Sequence, residues 1–382
     1  MRKVALVAHW DWVLYHFRLP LARRLRDRGL TVDVVSPPGP YVARLEAEGF
    51  SWRPWPVSRR GLNPAVEALA VSRLATLYRH ERFDVVHHFT IKPVIYGSLA
   101  ARLAGITHVF NTFTGLGFVF SDGVKPMALR ALVRPLLWRA LRGTGVVTVF
   151  QNRADRDRLV RAGLVKPEHC RVIVGTGVNL ERFAPPTVVD EDVPVVILAG
   201  RLLWDKGIAE FVRAAQALRA RAVAARFLVA GAPDPGNPRA IPRDQIARWA
   251  SDGPVEFLGL RDDMPELLRR AHIAVLPSYH EGVPRFLLEA AATGLPLVGT
   301  DIPGCRTVID PGVNGLLVPP RDAEALTGAL ELLLRNPELR RRMGRASRAI
   351  AVERFDERAI LDAYERLYRE AGLTRPARTS RP

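Results

Sequence analysis

The sequence predicts an α/β protein of two successive open domains, each built on a parallel sheet. Three observations carry this. Short apolar runs alternate with amphipathic stretches, a Pro- and acid-rich interruption falls near the middle, and the same alternation starts again after it. At 382 residues the chain is long for one hydrophobic core and comfortable for two, and 48% hydrophobic content suffices to fill both.

In the first half, Val4–Ala8, Thr31–Ser36, Asp84–Phe89, His108–Thr112 and Val146–Phe150 read as buried strands rich in β-branched residues. Phe17–Arg28, Pro64–His80 and Pro93–Ala104 are amphipathic and read as the helices between them. The segment Phe183–Val193, with Pro185, Pro186, Asp190, Glu191 and Asp192, breaks the rhythm as a linker would. Strand candidates then resume at Val195–Ala199, Arg226–Ala230, Val255–Leu258, Ile273–Pro277 and Pro296–Thr300. Helices are expected near Ile208–Arg219, Pro242–Ala250, Met264–Arg270, Phe286–Thr293, Ala323–Arg335, Pro337–Glu353 and Glu357–Glu370. The expected division is 1–185, 186–355 and 356–382, the last holding a helix able to return to the first domain and then a basic tail.

Composition excludes several classes. Cys170 and Cys305 are far apart and form no metal-ligand pattern. Met1-Arg2-Lys3 leads into Val4–Ala8, which reads as a first strand rather than the long apolar core of a signal peptide. No apolar run reaches the roughly 18–20 residues that a spanning helix needs. The net charge of +17 is lopsided: residues 1–185 hold 28 Lys and Arg against 13 Asp and Glu, while residues 186–382 hold 28 against 26. A one-sided basic field points to an anionic partner, and without a nucleic-acid motif it favours a bilayer or a phosphorylated substrate.

Neither half has a G-x-G-x-x-G loop after its first strand, which demotes dinucleotide oxidoreductases. The second half instead runs Gly200-Arg201-Leu202-Leu203-Trp204-Asp205-Lys206-Gly207, putting two cations in a strand-end loop that opens a helix. Arg grips a diphosphate bidentately and Lys adds a point charge, so the pair suits a departing nucleoside diphosphate; a solvated helix-start pair is the plain alternative. Downstream, Pro277 to Glu289 contains Glu281 in a loop, Gly282 before a Pro284-started helix, and Glu289 within it. Eight residues along a helix span roughly 12 Å, more than the about 5–5.5 Å of a retaining glycosidase pair. Two parts of one elongated ligand, or two surface glutamates, fit that spacing.

Together, Gly200–Gly207 and Glu281–Glu289 resemble the retaining GT-B glycosyltransferases of family 4, with their G-R-L-x-x-x-K-G loop and E-x7-E motif. The similarity continues through Glu289–Pro296, Pro303-Gly304-Cys305 and Asn314–Pro319. It implies two Rossmann-like domains whose parallel sheets face an interdomain cleft, with acceptor bound by the first and donor by the second. It also implies that Arg201 and Lys206 bind the diphosphate, Glu289 the ribose and Glu281 the donor sugar. Backbone at Gly282, Val283, Pro284 and Arg285 would line the sugar, and the loop with Gly259 and Arg261 would cover the base. In the first half, His87–Gly97 and Asn111–Phe118 resemble bacterial enzymes acting on polyprenyl-diphosphate-linked sugars. That places His88, Thr90, Lys92, Thr114, Gly115 and Gly117 at the acceptor, with His88 equally readable as a packed strand-end residue. Thr114 stands where many members have His, and Trp10-Asp11-Trp12 where they have glycines.

The expected partners are a nucleotide-sugar co-substrate, a lipid-linked sugar acceptor and an anionic membrane surface; no cofactor and no metal are expected. The acidic clusters Asp155-Arg156-Asp157 and Asp190-Glu191-Asp192 read as helix surface and linker. Met127–Arg142 reads as a basic amphipathic helix, with Leu129, Leu132, Val133, Leu136, Leu137 and Leu141 on one face and Arg130, Arg134, Trp138 and Arg139 at its edges. Shallow insertion at the cytoplasmic membrane face, or ordinary core packing, accounts for it. A nucleotide-sugar 2-epimerase of the same architecture is the rival reading of the whole chain.

Overall fold

A computed structural model describes residues 2–58, 61, 63–116, 124–187, 193–234 and 236–374, without the side chains of residues 124–130, 132 and 252. The chain forms two compact units, Met1–Thr176 with Ala359–Pro382, and Gly177–Arg358.

The first unit is a seven-stranded parallel sheet. Its strands are β1 (Lys3–Val7), β2 (Thr31–Ser36), β3 (Ser51–Pro54), β4 (Val85–Phe89), β5 (His108–Phe113), β6 (Val146–Phe150) and β7 (Cys170–Val172), in the order β3-β2-β1-β4-β5-β6-β7. Period-2 alternation sends Val4 and Leu6 to one face and Ala5 and Val7 to the other. Helix Leu19–Asp27 covers the first face through Leu21 and Leu25, and helix Pro64–Glu81 covers the second through Leu74 and Tyr78. Buried apolar surface contributes about 25 cal/mol per Å², so coating the sheet on both faces stabilises the unit.

Helix Glu357–Glu370 returns to this unit, burying Ile360, Tyr364, Leu367 and Tyr368 in the same core as Val4 and Leu6. Arg24 pairs with Asp362 at 2.7 Å and Glu365 at 3.2 Å, and Arg28 reaches Glu365 at 2.9 Å.

The second unit has β8 (Val195–Ala199), β9 (Arg226–Ala230), β10 (Val255–Gly259), β11 (Ile273–Leu276), β12 (Leu297–Thr300) and β13 (Gly315–Val318), all parallel, in the order β10-β9-β8-β11-β12-β13. Helices Ile208–Ala220 and Ala323–Arg335 pack Phe211, Leu218, Leu326 and Leu330 onto Val196, Leu198 and Val275.

The units divide at Thr176/Gly177 rather than within the Pro- and acid-rich segment. The residues between are tied to the second unit. Val178 bridges Asp356, Phe183 is buried, and Arg348 donates to the carbonyls of Leu180 (3.2 Å) and Phe183 (3.3 Å). Gly177 permits this closure with φ +73, since a Cβ there would lie 2.5 Å from Glu357 Cα.

Candidate functional site

Parallel sheets present ligands at the carboxyl ends of their strands, where the strand order reverses. In the second unit the reversal lies between β8 and β11. The loop after β8 turns through Trp204–Lys206 and closes at Gly207 with φ +69. A Cβ at Gly207 would lie 2.1 Å from the Pro277 carbonyl, so glycine lets this loop press against the end of β11. The contact is held by the Asp205 carbonyl, which accepts from Tyr279 N–H at 2.8 Å and Ser278 Oγ at 3.1 Å. Gly304 does the same from β12: a Cβ there would stand 2.6 Å from the carbonyls of Glu281 and Gly282.

This backbone packing brings Lys206 Nζ onto Glu281 Oε1 in a mostly buried ion pair, joining two loops 75 residues apart. Arg201 Nη1 instead meets Asp234 Oδ2 at 2.8 Å, a carboxylate only 7% exposed that also accepts from Asn237 Nδ2 at 3.0 Å. Arg285 pairs with Glu289 at 2.7 Å within helix Arg285–Ala292, and Pro284 stands at its N-terminal cap. Gly282 and Pro284 are buried and Val283 half-buried. Gly259 accepts Gly231 N–H at 2.7 Å, drawing the end of β10 in, while Arg261 turns outward to Asp263 at 2.8 Å.

Sequence reasoning missed Asp234, and also Arg239, which donates to Asp205 at 2.9 Å beside Lys206. It missed Glu210 as well, which accepts from Tyr279 Oη at 2.9 Å. Burial, then that bond to Glu210, pushes the Tyr279 hydroxyl up to about 12, so it stays a donor at neutral pH. The Asp-Pro and Asn-Pro turn signals around 234–238 were the visible clue to a structured loop there. Burial likewise pushes Cys305 up to about 12 and Cys170 up to about 11, so both remain protonated.

In the first unit two of the residues expected at the acceptor are engaged within the fold. His88 is fully buried, with Nε2 3.0 Å from Tyr78 Oη and Nδ1 2.8 Å from Asn111 Oδ1, under Gly97, where a Cβ would lie 2.2 Å from the ring. Burial brings it down to about 4, so it is a neutral core histidine with both nitrogens engaged, the packed reading of the two that the sequence left open. Lys92 is held by Glu67 at 2.8 Å and by the carbonyls of Ser58 (2.6 Å) and Gly61 (3.1 Å), so its three donors are already used. Thr90, just past β4, holds φ +75 and meets His9 Nδ1 at 2.6 Å. Thr114 and Gly115 follow β5, Gly115 with φ +128; Gly117 lies outside the described residues.

The basic helix runs Val124–Leu141. Its apolar side divides: Leu137 and Leu141 are buried in the core, while Leu136 is 41% and Trp138 46% exposed. Arg134 and Arg139 are exposed, Arg142 lies 4.8 Å over the Trp138 ring, and the side chain of Arg130 is outside the described residues. Among the described residues no helix is long and apolar enough to cross a membrane.

Two family models match the chain, one described as glycosyl transferase 4-like over residues 3–150 and one as glycosyl transferases group 1 over residues 193–336. The N,N'-diacetylbacillosaminyl-diphospho-undecaprenol alpha-1,3-N-acetylgalactosaminyltransferase of Campylobacter jejuni is 30% identical over 379 residues, covering 96% of this chain and 98% of its own. The UDP-Gal:alpha-D-GlcNAc-diphosphoundecaprenol alpha-1,3-galactosyltransferase of Escherichia coli is 27% identical over 72% of each chain. Among solved structures, HepE of Anabaena, crystallised with UDP-glucose, has a TM-score of 0.78 at 18% identity, covering 97% of this chain and all of that one. The shared fold is GT-B: two parallel-sheet α/β domains.

Proposed function

The chain belongs to the family 4, group 1 glycosyltransferases, and on that premise we propose that it moves a hexose or N-acetylhexosamine from a UDP-sugar to a polyprenyl-diphosphate-linked sugar, with anomeric retention and no metal. The observation that carries the proposal is the meeting of Lys206 with Glu281 at the carboxyl ends of β8 and β11. Two motifs distant in sequence converge where an α/β sheet binds its ligand.

In this reading Arg201 and Lys206 stabilise the charge that develops on the departing diphosphate, with no proton transfer of their own. Glu289 holds the ribose, Glu281 the donor sugar, and backbone from Gly282 to Arg285 lines the sugar while Gly259 and Arg261 flank the base. Thr90, Thr114 and Gly115 face the acceptor. The acceptor oxygen bonds to the anomeric carbon as that carbon's bond to the diphosphate oxygen breaks, and the hydroxyl proton leaves with the diphosphate from the same face. The acceptor class is supported by the diphospho-undecaprenol named for the C. jejuni and E. coli relatives. A lipid-linked acceptor, the basic first half and exposed Leu136 and Trp138 support peripheral binding at the cytoplasmic membrane face.

The test incubates the protein with labelled UDP-sugars, with and without a polyprenyl-diphospho-sugar, in EDTA. Label moving to the lipid only when the lipid is present is the expected result. A new UDP-sugar epimer formed without lipid would make the protein an epimerase, and no product in either arm would overturn the proposal.

A further inference from the structure

In the first unit the strand order reverses between β1 and β4. His9 follows β1, Thr90 follows β4, and their 2.6 Å hydrogen bond straddles the reversal. Thr90 keeps φ +75, unfavourable for a β-branched residue and of a kind that collects at functional sites.

The chain after His9 builds an aromatic surface there. Trp10 and Trp12 stack with centroids 4.9 Å apart and planes 23° apart, and Tyr15 and Tyr41 lie 5.3 Å apart. All four residues are half-buried, and Trp10, Trp12 and Tyr15 lean on the core. Trp12 also meets His16 at 4.9 Å and the edge of Phe17 at 4.8 Å, so the part of each residue that stays in solvent is held in place. The surface is held firmly. Buried Asp11 accepts from Trp12 N–H at 2.9 Å and Tyr41 N–H at 2.7 Å, and Gly39 leaves it room, since a Cβ there would lie 2.4 Å from the carboxylate. Leu14–Arg18 is a turn of π-helix, a form frequent at functional sites.

We propose that Trp10, Trp12 and the His9–Thr90 pair form a carbohydrate subsite that holds the terminal sugar of the acceptor. A pyranose has a C–H face and a hydroxyl rim; aromatic faces bury the first, and imidazole and hydroxyl groups serve the second. A prenyl chain would have no use for that polar rim. The identity of the sugar as an acceptor rests on the transferase reading above.

The test measures binding rather than turnover, so the two proposals fail separately. The probes are N-acetylglucosamine linked through diphosphate to a ten-carbon prenol, the same prenyl diphosphate without sugar, and UDP. Trp10→Leu and Trp12→Leu should each weaken the sugar-bearing probe at least about tenfold, with Trp10→Phe and Trp12→Phe restoring most of it. The sugar-free probe and UDP affinity should hold steady in all four variants, and the Phe variants, which keep a ring packed on the core, should also hold the melting temperature. Unchanged binding of the sugar-bearing probe, equal loss of both prenyl probes, or a wild-type chain that binds neither would overturn the subsite. A wild-type chain that binds the sugar-bearing probe through these residues yet transfers nothing sinks only the transferase proposal.

Discussion

Lys206 and Arg201 each rest on a carboxylate, Glu281 in one case and Asp234 in the other. On the proposed reading a diphosphate competes with Asp234 for the guanidinium of Arg201, and the free energy of that competition is subtracted from donor affinity. Replacing Arg201 or Lys206 by Ala should cost about 2–4 kcal/mol of transition-state stabilisation, read as a fall in kcat/KM. Asp234→Asn frees Arg201 without removing it, and UDP affinity by calorimetry should rise several-fold; weaker UDP binding would mean that Asp234 aims the guanidinium instead.

His88 gives a pH prediction. Its folded value, about 4, lies below the unfolded value near 6.5, so the unfolded chain binds the extra proton. Stability is then full above about pH 6.5 and falls as the pH drops towards 4, by on the order of 3 kcal/mol. Burial lowers His87 in the same direction. Denaturant titrations from pH 7 to 4 should show the decline, and His88→Gln should flatten it.

At the scale of elements, the helix Val124–Leu141 faces two ways. Leu137 and Leu141 are core, while Leu136, Trp138, Arg134 and Arg139 are exposed. Each Lys or Arg beside an anionic surface contributes about 1 kcal/mol, fading within a Debye length. The protein should sediment with anionic but not zwitterionic vesicles, less so in high salt. Arg134→Glu with Arg139→Glu should weaken the binding while UDP affinity is kept. Equal sedimentation of parent and variant would move the docking surface elsewhere.

For the whole molecule, helix Glu357–Glu370 completes the first unit although it follows the second in sequence. Ending the chain at Arg358 removes Ile360, Tyr364, Leu367 and Tyr368 from that core and takes Tyr368 Oη away from His87 Nδ1, 2.9 Å distant. Loss of several large core side chains should cost the first unit at least about 5 kcal/mol. A thermal scan should show that unit melting early, while UDP still binds the second.

Most central strands were legible because a sheet covered on both faces demands runs such as Val4–Ala8 and Val195–Ala199, whose pattern is complete within a few neighbours. Edge strands β3 (Ser51–Pro54) and β7 (Cys170–Val172) escaped because they are short and half-exposed, and β13 because it opens on Gly315. The sequence by itself determined the fold class and the two loops that mark a glycosyltransferase, since periodicity and motif spacing are properties of adjacent residues. Only the tertiary structure decided that Lys92 belongs to Glu67, that His88 is sealed beneath Gly97, that Arg201 answers to Asp234, and that the units part at Gly177. Burial and pairing are set by segments that meet only after folding, and no local pattern records which segments those are.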